Sequence, residues 1–240
     1  MWNFQTLWGT ICDRSSYLVR LAKKKIMQGE APFGTPSREK IHLMQKDAER
    51  LSLAHCSPED YMKLIKASEL LYEQVKSFDT LSKDEPILEI GCNVGRNLNF
   101  LYQQGFHNLY GIEINESAIS AMKKYYPDMA SDSTILEGPV EERIKEIKDK
   151  EMTLTFTMAV LETIHPSSNF IFSEISRITS KFLIVIEIEN SYYMGMFPRD
   201  YGTIFTLLGF NMLKKELVTL DPLSEPTPRH TLRIFSKDIL

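Results

Sequence analysis

The sequence predicts an α/β protein: a mostly parallel seven-stranded sheet with an antiparallel last strand, covered by helices and preceded by a helical extension. Three observations predict it. From Pro86 onward, short β-type runs alternate with helical stretches. The segments between the first five runs are long enough for crossover helices, which makes those strands parallel. The last two runs are joined only by Asp221–Pro228, a stretch with three prolines and too short for a crossover helix, so they should pair antiparallel.

The elements follow in order. Residues 1–84 read as a helical extension and 85–240 as the sheet domain. The first helix carries Trp2, Phe4, Leu7, Trp8 and Ile11. It could be a lid, plain packing, or an amphipathic surface for a membrane or partner. Ala31–Pro36, with two prolines and a glycine, is a loop, and a second helix runs roughly from Ser37 to Ala54. A third spans Ser57–Phe78: Ser57 as N-cap, Pro58 at the first helical position, Glu59 and Asp60 at the positive end. Its Tyr61, Leu64, Ile65, Leu71, Tyr72 and Val75 recur at helical spacing. The strand runs are Ile87–Ile90, Leu109–Ile114, Thr134–Glu137, Met152–Met158, Phe182–Glu189, Met212–Leu220 and Arg229–Ser236. A helix from Gly95 to Gln103 follows the first run, and one from Thr203 to Leu208 is stopped by Gly209.

Composition narrows the function classes. The chain has 240 residues, 43% hydrophobic and 25% charged, enough for a full core without disulfides or metals. The net charge of −4 carries no basic excess, so nucleic acid is not expected as a partner; Lys23–Lys25 reads as a solvated helix face. The three cysteines, Cys12, Cys56 and Cys92, form no CxxC pair, which argues for a reducing, cytoplasmic setting without a zinc site. Asp13 and Arg14 interrupt any leader-like run, and no stretch of about 18 apolar residues predicts a transmembrane segment. His42, His55, His107 and His230 have no companions that would make a metal site.

The chemistry concentrates at strand ends. In Ile87-Leu-Glu-Ile-Gly-Cys-Asn-Val-Gly-Arg-Asn-Leu a buried strand meets a tight turn and then a helix. Ligands of open α/β sheets bind outside the carboxyl ends of the strands, where this turn lies. Small turn residues let a ligand approach the backbone, and Asn93 tolerates a left-handed conformation. The dinucleotide fingerprint G-x-G-x-x-G fails twice, at Asn93 and Arg96. The pattern acidic-x-G-x-x-x-G is met by Glu89, Gly91 and Gly95. Glu113, 22 positions after Gly91, ends the second run in Leu109-Tyr-Gly-Ile-Glu-Ile-Asn. Its carboxylate could accept ribose hydroxyls and repel a 2′-phosphate, or could merely cap the next helix.

These residues resemble motif I and the second-strand carboxylate of the Rossmann-like class I S-adenosylmethionine-dependent methyltransferases. The resemblance covers roughly residues 84–236 and is specific for the superfamily, not for any substrate. It implies S-adenosyl-L-methionine as cofactor, with Glu89, Gly91, Asn93 and Gly95 around the methionyl part and ribose. Glu113 would take the ribose, and Ile114 would pack on the adenine. Where the family often has glycine then aspartate after the third strand, this chain has Gly138 then Pro139. The Val140 amide could still serve the ring, with Glu141 as a fallback. Thr155-Phe-Thr-Met-Ala-Val-Leu-Glu-Thr-Ile-His-Pro resembles the fourth strand and its loop, placing Thr157, Met158 and Ala159 beside the sulfonium. His165 is the one histidine near that point, as a general base or as a helix cap. Ser191 to Tyr201 falls where the family places its acceptor pocket. Tyr192, Tyr193, Arg199 and Tyr201 are candidate substrate contacts, with Arg199 suited to an anionic group or else a surface residue of a packed lid.

The implied reaction is methyl transfer to an O, N or C nucleophile on a small, polar or anionic molecule, through alignment and exclusion of water, without a metal. A protein or RNA methyltransferase, a non-catalytic cofactor-binding subunit, and the already weakened nicotinamide oxidoreductase are the alternatives.

Overall fold

The computed structural model describes residues 37–46, 61–190, 196–221 and 229–237. Seven strands, β1 (Ile87–Ile90), β2 (Leu109–Glu113), β3 (Thr134–Glu137), β4 (Met152–Met158), β5 (Thr179–Ile188), β6 (Asn211–Val218) and β7 (His230–Ser236), form one sheet in the order β3-β2-β1-β4-β5-β7-β6. The first five are mutually parallel, and β7 inserts antiparallel between β5 and β6. The chain reverses its direction of strand addition between β1 and β4. In open α/β sheets such a reversal is where the ligand crevice lies, here at the carboxyl ends of β1 and β4.

Helices cover both faces. On one lie α2 (Ile65–Lys76) and α3 (Arg96–Gln103), whose Leu71, Val75, Leu98 and Leu101 pack on Ile87, Phe156 and Ile184. On the other, α7 (Ile171–Ile178) and α8 (Tyr201–Leu207) bring Phe172, Ile175 and Phe205 against Leu88, Leu183 and Phe235. The remaining helices are α1 (Arg38–Lys46), α4 (Glu116–Tyr125), α5 (Pro127–Asp132) and the short α6 (Val140–Arg143). Fully burying a side chain such as Leu71 contributes about 2 kcal/mol. Helix α2, assigned by sequence to the extension, is thus part of the sheet's own core, and just past its end Phe78 stacks on Phe182 of β5 at 4.0 Å.

Two boundaries differ most from the sequence reading, both for tertiary reasons. Within the described part of the expected helix Ser57–Phe78, Tyr61 and Met62 are helical, the helix breaks at Lys63 and Leu64, and it resumes from Ile65 to Lys76. In a continuous helix the Tyr61 carbonyl would accept from the Ile65 amide. Instead it accepts from Arg96 Nη1 at 2.9 Å, and the Ile65 amide donates to Lys63 O. Strand β5 begins at Thr179, three residues before the expected Phe182. Thr179 Oγ1 bonds across to Thr155 Oγ1 at 2.8 Å and back to Ile175 O at 2.7 Å, so the helix-to-strand turn is tightened by side chains. Ser57–Asp60 and the aromatic first helix lie outside the described residues.

One ion cluster locks the antiparallel end of the sheet. Arg233 on β7 grips Glu189 with two 2.7 Å bonds, Nε to Oε1 and Nη2 to Oε2, and reaches Asp200 Oδ1 with Nη2 at 3.1 Å. The Arg233 and Glu189 side chains are only 5% and 7% exposed, so the bidentate geometry is what offsets their desolvation. Among the described residues no helix is long and apolar enough to cross a membrane.

Candidate active site

The turn after β1 is built from left-handed backbone. Gly91, Asn93 and Gly95 have φ of 71°, 48° and 73°. Gly91 and Cys92 both donate to Ile112 O on β2, at 2.8 and 3.1 Å, and Gly95 donates to Cys92 O at 2.8 Å. A Cβ at Gly91 would press into the Val160 side chain. Asn93 and Gly91 remain partly exposed, whereas Cys92 and Val94 point into the core. The backbone of the turn therefore faces the crevice.

Beneath the turn lies Glu89, 3% exposed. Its Oε1 accepts from Asn97 Nδ2 at 2.7 Å, while Oε2 is buried without a hydrogen-bond partner among the described residues. Burial pushes its carboxyl up to about 8, against the pull of Asn97 and Arg96 and with repulsion from Glu113. Asn97 Oδ1 accepts in turn from Ser68 Oγ at 2.7 Å and Arg96 Nη2 at 3.0 Å. Arg96, Asn97 and Ser68 escaped the sequence reading. The first two follow the motif directly and could have been flagged as polar residues on a helix face packed inward. Ser68 carries no local signal, because its partners lie 28 and 29 residues away.

Glu113 is engaged more fully than the sequence implied. Its Oε2 accepts from the Asn93 amide at 2.7 Å, and Oε1 from Ile114 and Asn115 amides at 2.8 Å each. Burial raises this carboxyl above the usual range, and the three amides pull the other way. Three of about four lone-pair sites are thus spent on shaping the turn, which leaves room for one further hydroxyl and not two. The capping of α4 falls instead to Asn115, whose Oδ1 accepts from Ser117 N at 2.9 Å and Ala118 N at 3.3 Å. Ile114 is partly exposed beside it.

After β3, Gly138 donates to Glu113 O at 2.7 Å, and Val140 opens α6 with its side chain 7% exposed. Glu141, the fallback acid, is occupied: Oε1 takes His42 Nε2 at 3.0 Å and Ser168 Oγ at 2.8 Å, tying α1 to the loop after β4.

At the end of β4, Met158 is partly exposed and Ala159 exposed with φ 56°. Thr157 is fully buried, backbone included, and presents no surface to a ligand. The following loop is pinned from β5. Glu187 Oε2 accepts from the Val160 amide at 2.9 Å and the Glu162 amide at 3.3 Å, and burial pushes its carboxyl up to about 7. Glu162 Oε2 accepts from the Ile188 amide. Neither role was visible in sequence.

The geometry redirects three sequence assignments. His165 Nδ1 accepts from the Ser167 amide at 3.1 Å and lies 2.8 Å from Ser167 Oγ. It caps the 3-10 turn Pro166–Ser168. An acceptor Nδ1 puts the proton on Nε2, so the ring has no free basic nitrogen without loss of the cap. Arg199 is a strut and not a substrate contact. Nη1 donates to Leu161 O at 3.0 Å and Phe197 O at 2.7 Å; Nη2 donates to Ile164 O at 2.7 Å and Asn169 Oδ1 at 2.8 Å. Tyr201 is fully buried against Phe172, facing the core and not the crevice. Tyr192 and Tyr193 lie outside the described residues.

A nucleoside diphosphate finds no free donor in this turn, because the amides of Gly91, Cys92, Asn93, Val94 and Gly95 are spent on Ile112 O, Glu113 Oε2, Asn93 Oδ1 and Cys92 O. An ammonium group fits, since Glu89 Oε2 is a buried acceptor with nothing bound to it. Among the described residues no cluster of three or more His, Cys, Asp or Glu could hold a metal ion.

Residues 88–182 match a family model described as "Methyltransferase domain". The ubiquinone biosynthesis O-methyltransferase of Rickettsia bellii is 26% identical over 136 residues, 55% of this chain and 55% of its own. The chain thus spans about half the length of the curated relatives it matches. A SAM-dependent methyltransferase from Archaeoglobus fulgidus superposes with a TM-score of 0.57 at 15% identity, covering 73% of this chain and 95% of that one. Magnesium protoporphyrin IX methyltransferase from Synechocystis PCC 6803, with bound SAH, gives 0.60 at 10% identity, over 84% of this chain and 100% of that one. At such identities these structures establish the shared fold.

Proposed function

We propose that this chain, whose residues 88–182 match a methyltransferase-domain model and whose fold is shared with S-adenosylmethionine-dependent methyltransferases, transfers a methyl group from S-adenosylmethionine to the oxygen or nitrogen of a small polar or anionic molecule. The observation that carries this reading is the buried, unpartnered Glu89 Oε2 beneath a left-handed turn at the strand-order reversal. The likeness to a ubiquinone biosynthesis O-methyltransferase favours a small acceptor and O-methylation. The cysteine usage fits the reducing cytoplasm.

S-adenosylmethionine, when bound, supplies a sulfonium methyl open to in-line attack. Each residue has a defined part in this reading. Glu89 holds the ammonium of the methionyl end. Gly91, Asn93 and Gly95 let the backbone come close to it. Glu113 shapes the turn and has capacity for one ribose hydroxyl. Ile114 and Val140 border the base. The backbone of Met158 and Ala159 borders the methyl-transfer point, held there by Glu187 and Glu162. The chain's contribution is alignment and exclusion of water, with no general base from His165.

Titration calorimetry with S-adenosylmethionine, S-adenosylhomocysteine and NADH tests the reading. The first two should bind and NADH should not. Binding of NADH alone, or of none of the three, overturns it.

A further inference from the structure

The crevice carries a second tier of polar residues that neither motif nor family likeness assigns. We propose that Asn97 is the positioning residue that presents Glu89 Oε2 to the cofactor's ammonium group, and that Arg96 and Ser68 fix Asn97 for that task. This rests on the methyltransferase reading above and deepens it.

The geometry leaves Asn97 one orientation. Its Oδ1 faces three donors: Ser68 Oγ at 2.7 Å, Arg96 Nη2 at 3.0 Å and Arg96 Nε at 3.3 Å. Its Nδ2 faces Glu89 Oε1 at 2.7 Å. A flipped amide would set NH₂ against the guanidinium, losing both Arg96 bonds, and would leave the ionised Glu89 without its donor. Asn97 therefore always donates to Oε1, and Oε2 is left as the open acceptor. Arg96 is held in turn by Ser68 Oγ through Nε at 2.9 Å and by Tyr61 O through Nη1 at 2.9 Å. The relay therefore begins in residues 61–68, at the base of α2, and ends on the carboxyl beneath the turn. It is also what interrupts the helix at Leu64.

Electrostatics give the relay a measurable consequence. The charged and titratable groups facing Glu89 are Arg96, which favours its anion, and Glu113, which opposes it; the Cys92 thiol is buried beside them. Burial keeps the carboxyl protonated near neutral pH, up to about 8. An ammonium ligand needs the anion, so binding must release that proton to solvent. The Asn97 donor lowers the cost of doing so.

S-adenosylhomocysteine, which carries the same ammonium, is the probe. Calorimetry of the full chain across about pH 6 to about pH 10.5, in buffers of differing ionisation enthalpy, reads affinity and proton release together. For the wild type we expect release approaching one proton per ligand at neutral pH, falling away above about pH 8. Asn97→Leu should move that midpoint up by roughly one to two pH units and weaken neutral-pH binding about ten- to a hundredfold, with recovery at alkaline pH. Ser68→Ala, a smaller change, should move the midpoint the same way by less, and it decides the matter if Asn97→Leu does not fold. An unchanged midpoint and affinity in the folded variants overturns the positioning role while leaving the function intact. Failure of the wild type to bind S-adenosylhomocysteine overturns the function itself.

Discussion

Replacing Glu89 with glutamine tests whether a protonated acid sits beneath the turn. Glutamine copies the neutral carboxyl in shape and cannot ionise. The wild-type carboxyl stands at about 8 in the folded chain against an ordinary 4.5. The folded state then binds the proton more tightly than the unfolded state. This raised pKa contributes stability that is fully present below about 4.5 and is lost as the pH rises through 8. Integrated between about pH 5.5 and about pH 8.5, the loss is roughly 3 kcal/mol at about 1.4 kcal/mol per unit, an upper bound because local relaxation and water entry soften a buried charge. Glu187, pushed up to about 7, adds a loss of the same sign, but it is present in both proteins and cancels in the comparison. Urea unfolding of both proteins across that range reads the difference directly. Glu89→Gln should gain on the wild type as pH rises, by a midpoint shift of roughly 1 M urea. Parallel curves would show that the wild-type carboxyl ionises at its ordinary pKa, and the protonated-acid argument would fail with it.

Other outcomes follow from single contacts. Gly91→Ala forces an L-residue to φ 71° against Val160. It should cost roughly 1–2 kcal/mol from backbone strain alone and abolish S-adenosylhomocysteine binding by calorimetry; unchanged binding would contradict the close approach. His165→Asn keeps an acceptor for the Ser167 amide, so turnover on whatever acceptor is identified should stay within about twofold, whereas His165→Ala should cost about 1 kcal/mol in thermal unfolding. Lost turnover in a well-folded His165→Asn would restore the general base. Arg199→Ala strands the carbonyls of Leu161, Phe197 and Ile164 and should destabilise by about 3 kcal/mol in urea. A cost below about 1 kcal/mol would refute the strut.

The alternation of strands and helices, the antiparallel end and the first turn were legible because their signals are local. Ile87–Ile90 and Met152–Met158 are short apolar runs that become strands at the expected residues. What sequence hid depends on residues far apart. Arg199 looked like an anion contact because an arginine in an aromatic stretch has unspent donors on paper. In the fold they meet carbonyls 35 and 38 residues away. Glu113 looked free for two hydroxyls because the Asn93 amide, 20 residues away, reaches its Oε2 only when β1 and β2 pair; the Ile114 and Asn115 amides that claim Oε1 are local. The break at Leu64 could not be read from helical periodicity, which records side-chain faces and not which carbonyl a distant guanidinium will take.

The Arg233 guanidinium holds both Glu189 and Asp200, and so pins the two ends of the ten residues numbered 190–199 to a single point on β7. With both roots held, residues added between them cost closure entropy that grows only slowly with length, but Arg199 inside the span is bonded to the carbonyls of Leu161 and Ile164, so the last residues before Asp200 are not free to vary.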